Sequence, residues 1–147
     1  MTLFQTRNFG EIEVKEDDIL IFPLGLPGFH KLRQFTLIPE EGTPDGEESV
    51  FIWLQSLEDP EVAFCLINLA RIMPEYSPLV EGAEISALGQ CAITDYLVYN
   101  ITVIPDDPKD ITVNMKAPVI INPGTKKGMQ VICQNDDYAI RHRLFEQ

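Results

Sequence analysis

The chain is broken into short β-favouring runs, each too short to be more than one strand of a larger sheet. "EIEVK" (residues 11–15) alternates Ile12 and Val14 with Glu11, Glu13 and Lys15, the period-two pattern of a strand with one wet face. "DILIF", "QFTLI", "VFIWLQ" and "VAFCLIN" follow, each β-rich and bounded by proline, glycine or acids. "YLVYNITVI" (96–104) is the longest run; it is predicted to line one face with Leu97, Tyr99, Ile101 and Val103, with Asn100 and Thr102 interrupting the other. "ITVNMK" alternates again, with Ile111, Val113 and Met115 inward, while "PVIIN" and "MQVICQ" flank a predicted hairpin loop over Asn122 to Gly128. One helix is expected, over about residues 79–88, with Gly89 as its stop and Gly82 weakening it. Nine or ten short strands with so little helix can bury their apolar faces only against one another. The predicted fold is therefore mainly β, a single compact barrel-like curved sheet, antiparallel or mixed, with one short helix.

A chain of 147 residues suits one domain, taken here as 1–147, and is long enough to bury roughly 70% of its unfolded surface. No metal or disulfide is required at that size, and no repeat or linker divides the chain. The apolar runs fall far short of the ~20 residues of a membrane span. "MTLFQTRNFGEIEV" lacks the apolar stretch of a secretory signal. Cys65, Cys91 and Cys133 are an odd number with no short pairing, and Cys65 and Cys133 sit in apolar runs that suit buried thiols. A cytoplasmic protein with no membrane contact is expected.

Charge narrows the choice of partner. Twenty-three acids against eleven bases give −12, unevenly spread. Residues 34–70 hold eight acids and no Lys or Arg, whereas 111–147 hold three acids and five bases. A negative field repels phosphate backbones and favours basic partners, so direct nucleic-acid binding is not expected. The same charge would also serve solubility alone.

Motifs for catalysis are scarce. His30 and His142 stand in no zinc spacing with the cysteines, and no nucleophile elbow, P-loop or dinucleotide fingerprint is present. "EDPE" (58–61) reads as a solvated turn and lacks the ligand order of an EF-hand; Asp106 and Asp107 after Pro105 suit a turn equally well. "IFPLGLPGF" (21–29) mixes five large apolar side chains with two prolines and two glycines. Its "GLPG" matches the G-x-x-G of RNA-clamping loops, but acids surround it and a strand precedes it. Leu26-Pro27-Gly28-Phe29 better suits a type II turn, with Gly28 at positive φ. Phe22, Leu24 and Phe29 are expected to close the core, leaving Leu26 at the tip for a partner. "YAIRHRLF" (138–145) reads as a terminal strand or arm with its arginines on acidic surface, or else as a site anchored by Arg141 and His142.

Taken together, "FPLGLPGF" (22–29), "WLQSLEDPEVAF" (53–64), "NITVIPDD" (100–107), "VNMKAPVIIN" (113–122), "KKGMQVI" (126–132) and "YAIRH" (138–142) resemble the FliW family of flagellar assembly factors, in the family's order and across nearly the whole chain. The chain departs from the family pattern in the acidic insert around 40–48, in "LARIMPEY", and at Ala139 and Arg143. The resemblance implies a mainly β domain with no enzymatic activity, no cofactor and no metal. It implies binding to CsrA, a basic RNA-binding translational repressor whose action on flagellin mRNA is relieved, and to flagellin as the competing partner.

The expected partner face combines Asn100, Ile104, Pro105 and Asp106 of "NITVIPDD" with Glu75 and Tyr76 of "MPEY", beside Leu26 of the opening loop. For Asn100 the alternative is a residue that satisfies backbone groups within the sheet. The free protein is expected to be a monomer. Two competing readings stay open: a secretion chaperone for flagellin or another exported subunit, and a small hydrolase or isomerase.

Overall fold

The computed structural model describes residues 2–40, 50–89 and 95–144. Eleven strands are found there: β1 (Thr2–Thr6), β2 (Gly10–Val14), β3 (Leu20–Ile21), β4 (Gln34–Pro39), β5 (Phe51–Ser56), β6 (Ala63–Ile67), β7 (Leu97–Val103), β8 (Thr112–Val113), β9 (Val119–Asn122), β10 (Lys127–Gln130) and β11 (His142–Arg143). Seven of them run in the order β7-β6-β5-β4-β3-β10-β9. β9 then pairs back onto β7, Leu97 opposite Ile121 and Tyr99 opposite Val119, which closes the barrel. Closure leaves these seven strands no open edge, so the ladder hydrogen bonds are satisfied within the ring. All pairings are antiparallel except Lys127 opposite Ile21, so the sheet is mixed.

Side-chain alternation sorts each strand between the interior and the outer wall. Leu20, Phe22, Phe35, Leu54, Leu66 and Ile121 fill the barrel, joined by Leu97, Tyr99 and Ile101 of β7, as the pattern of that strand predicts. Val103 departs from the prediction and is exposed. By that point β7 has left the ring and pairs with β8 instead, so the interior no longer extends beneath it. At Gly128 a β-carbon would lie 2.6 Å from the Phe22 ring, so the missing side chain makes room for a core aromatic.

Two smaller cores lie outside the wall. One gathers Ile67, Leu69, Tyr76, Val113 and Met115; the other gathers Leu88, Ile120, Met129 and Val131. The inward Ile111, Val113 and Met115 of "ITVNMK" are buried as expected. Covering the second outer core is the segment read as a helix, and that expectation is corrected. Only a 3-10 turn forms, over Ser86–Leu88, although Gly89 does end it at φ 87°. Upstream, Leu79 donates its N–H to Asn135 Oδ1 and accepts from the Gln134 N–H, so its backbone is engaged side-on and unavailable to a helix.

The N-terminal run contributes a strand that its sequence concealed. β1 pairs with β2 in a hairpin, Phe9 sets its ring edge-on to Trp53 at 5.8 Å, and Arg7 donates its N–H to the Pro60 carbonyl. The hairpin thus covers the outward Trp53 of β5. "EDPE" is a turn as expected: Ser56 Oγ accepts from the Glu58 and Asp59 N–H groups, and Gln55 Nε2 donates to the carbonyls of Ser56, Pro60 and Val62. The predicted hairpin after β9 forms, with Asn122 Oδ1 accepting from the Gly124 and Thr125 N–H groups. At the C-terminal end β11 docks on β8, and Arg143 pairs with Asp110 at 2.8 Å. The acidic segment 41–49 and Cys91 lie outside the described residues; Cys65 and Cys133 are buried free thiols.

Candidate functional site

In the loop 22–29 two turns follow directly upon each other. Gly25 donates its N–H to the Phe22 carbonyl at 2.9 Å, and Phe29 donates to the Leu26 carbonyl at 2.7 Å. Gly28 takes φ 84°, as a type II turn requires of its third residue. Gly25 takes φ 65°, and a β-carbon there would meet the Phe29 carbonyl at 2.6 Å. The doubled turn reverses the expected assignment. Leu26 is 1% exposed and belongs to the barrel core, so it offers no surface to a partner. Leu24 is the tip residue, 66% exposed, and Phe29 is partly exposed with its ring on Phe64.

The expected partner face separates into a buried framework and an exposed rim. Asn100 and Tyr76 are brought together, and both are buried, at 0% and 7% exposure. Asn100 Nδ2 donates to the Asn114 carbonyl and to Tyr76 Oη, both at 2.8 Å, and Tyr76 Oη donates to the Met115 carbonyl at 2.7 Å. Asn100 Oδ1 is buried with no hydrogen-bond donor among the described residues. Burial pushes the Tyr76 phenol above its ordinary value, partly offset by the Asn100 hydrogen bond. The expectation that these two side chains touch a partner is therefore corrected: they join β7 to the loop 74–78. Tyr138 finishes the joint, its ring 5.0 Å from that of Tyr76 and its hydroxyl accepting from the Ser77 N–H.

The rim is accessible. Glu75, Pro105, Asp106 and Asp107 are exposed, and Ile104 is 48% exposed. Val103, which the strand pattern pointed inward, stands exposed beside them. Asp107 Oδ1 accepts from the Lys109 N–H, which fixes the turn that follows. Apolar tips flanked by carboxylates suit a few anchored contacts inside a charged rim. One signal in the sequence marks this region. From Ile72 to Pro108 there are six acids, Glu75, Glu81, Glu84, Asp95, Asp106 and Asp107, and no Lys or Arg. In the alternative arm site, Arg141 is exposed and His142 is held in the β11–β8 pairing. Among the described residues no cluster of three His, Cys, Asp or Glu could hold a metal, and no helix is long and apolar enough to cross a membrane.

Comparison with known proteins places this geometry. The family model described as FliW protein matches residues 3–144. Flagellar assembly factor FliW of Caldicellulosiruptor saccharolyticus is 39% identical over 145 residues, covering 99% of this chain and 91% of that protein. Flagellar assembly factor FliW of Thermotoga neapolitana is 41% identical over 144 residues, covering 97% and 93%. A crystal structure of the flagellar assembly factor FliW superposes with a TM-score of 0.88 at 34% identity, covering 99% of both chains.

Proposed function

The chain belongs to the FliW family, and on that premise we propose that it is a non-enzymatic, protein-binding regulator of flagellum assembly that works in the cytoplasm. It binds the basic translational repressor CsrA and keeps it from flagellin mRNA. Flagellin competes for the protein, so that free flagellin returns CsrA to its message. The observation that carries this reading is the base-free acidic stretch 72–108, which brings exposed carboxylates beside the exposed Val103 and Ile104 at the end of β7.

Charge and apolar contact divide the work. A net charge of −12 attracts a basic protein over distance and raises its on-rate by ~10 to 10³ at low salt. The same field opposes RNA, so the protein acts on the repressor and not on the message. Once docked, Ile104 supplies apolar area, while Glu75 and Asp106 supply the carboxylate rim. Tyr76 and Asn100 hold the loop that bears Glu75. The free protein is a monomer.

Reversing charge at Glu75 and Asp106 tests the placement. Both are exposed, so Glu75→Lys with Asp106→Lys should leave thermal unfolding unchanged and weaken CsrA binding about tenfold or more at low salt. Unchanged affinity would remove the rim from the interface. Binding of flagellin with none of CsrA would leave a secretion chaperone as the function.

A further inference from the structure

We propose that the apolar pocket beneath the 78–85 segment is the anchor site for one branched aliphatic side chain carried on a basic segment of the protein partner. The pocket is lined by Pro78, Val80, Ile85, Tyr96, Val98 and Ile120 and encloses about 180 Å³. That is close to the ~150 Å³ cavity known to accept a benzene molecule and below the ~300 Å³ at which small-molecule sites begin. The size therefore suits one side chain. Its walls are rigid: Ile120 is buried on the barrel wall, Val98 lies on β7, and Tyr96 is held by the hydrogen bond from its hydroxyl to the Gly89 carbonyl.

The occupant follows from charge. Six of the seven lining residues, Gly82 included, fall within the base-free stretch 72–108. Next in the chain to lining residues are the exposed carboxylates Glu81, Glu84 and Asp95, and the exposed Leu79 stands between Pro78 and Val80. The Gln134 side chain donates to Glu81, which fixes one carboxylate of the rim. A segment with Lys or Arg on either side of a Leu or Ile matches both features, and an acidic segment would be repelled. The proposal rests on the reading of a basic partner and adds to it a hole for that partner's anchor, next to the Glu75 loop.

The test uses the full chain with two probes. One is a labelled nine-residue peptide of Lys and Ser around a central Leu, with Ala-centred and Glu-for-Lys versions; the other is CsrA. Gly82 lines the pocket and a β-carbon there meets nothing within 4 Å, so Gly82→Leu should fold normally and obstruct the pocket. Expected results are saturable binding of the Leu peptide, an approximately tenfold loss on the Ala centre, no binding of the Glu version, and loss of binding in both Gly82→Leu and Glu84→Lys. Thermal unfolding checks that both variants are folded. Equal binding of the Leu and Ala peptides, or peptide binding untouched by either folded variant, overturns the pocket. CsrA separates the two readings. If CsrA binds as tightly to both variants as to the parent, the pocket falls and the CsrA reading stands. If the Leu peptide binds in the pocket and CsrA does not bind at all, the pocket stands and the CsrA reading falls.

Discussion

Leu26 and Leu24 sit two positions apart in one loop and do opposite work. Leu26 is packed with Phe22 and Phe35 inside the barrel, while Leu24 rides on the outer turn. Leu26→Ala should cost about 2–5 kcal/mol in chemical denaturation, and Leu24→Ala should change stability by less than about 0.5 kcal/mol. The turn itself was legible, because Pro27-Gly28 dictates its dihedrals. Which leucine faces inward was not, since a loop has no period and the answer depends on Gly25 folding the chain back one residue earlier. Asn100 and Tyr76 follow the same rule, for a polar and an aromatic residue beside exposed acids read as surface until their buried partners Asn114 and Met115 are known. Tyr76 carries its own prediction. Its phenol is raised by burial, so the neutral form is favoured in the fold, and the stability it contributes is complete below the ordinary tyrosine range near pH 10. That contribution is lost progressively as pH rises above 10 towards the raised value. Tyr76→Phe should cost about 1–2 kcal/mol at neutral pH through the lost hydrogen bonds. Its urea-unfolding free energy should also fall less steeply than the parent's between pH 9 and 11.

At the scale of elements, strands were legible where alternation lasts, as in β2 and β7, because one buried face imposes period two, and β9 was legible as a continuous apolar run, buried at every residue. The hairpin strand β1 was not, since "TLFQT" has no flanking turn on one side and little alternation. The helix expected at 79–88 does not form: Val80, Ile85 and Leu88 pack in the outer core with Ile120, while the backbone of the exposed Leu79 is bound by Gln134 and Asn135. β10 shows how tightly neighbouring elements constrain each other. Gly128 lies against the Phe22 ring, so Gly128→Ala should lose about 1–3 kcal/mol through overpacking. Combining it with Phe22→Leu should cost less than the sum of the two single changes, because the smaller side chain vacates the contested space. An additive result in the double-mutant cycle would show that the two strands do not meet there.

For the whole molecule, the closed barrel is the frame on which the outer loops and the C-terminal arm are mounted. Two outer cores fasten the loop 74–78, the segment 78–89 and the C-terminal arm to the wall. The net charge of −12 favours a basic partner on electrostatic grounds. Which carboxylates stand beside an exposed apolar surface was not legible, because it depends on β7 leaving the ring before Val103, which exposes Val103 and Ile104 next to Asp106 and Asp107. We propose that the acidic surface at the end of β7 captures a repressor and withholds it from RNA. A gel shift of CsrA on flagellin leader RNA, titrated with the protein, measures that capture. The CsrA–RNA band should be released as the protein saturates CsrA, and Glu75→Lys with Asp106→Lys should shift the titration to about tenfold higher protein. CsrA–RNA binding that stays unchanged at saturating protein would contradict it.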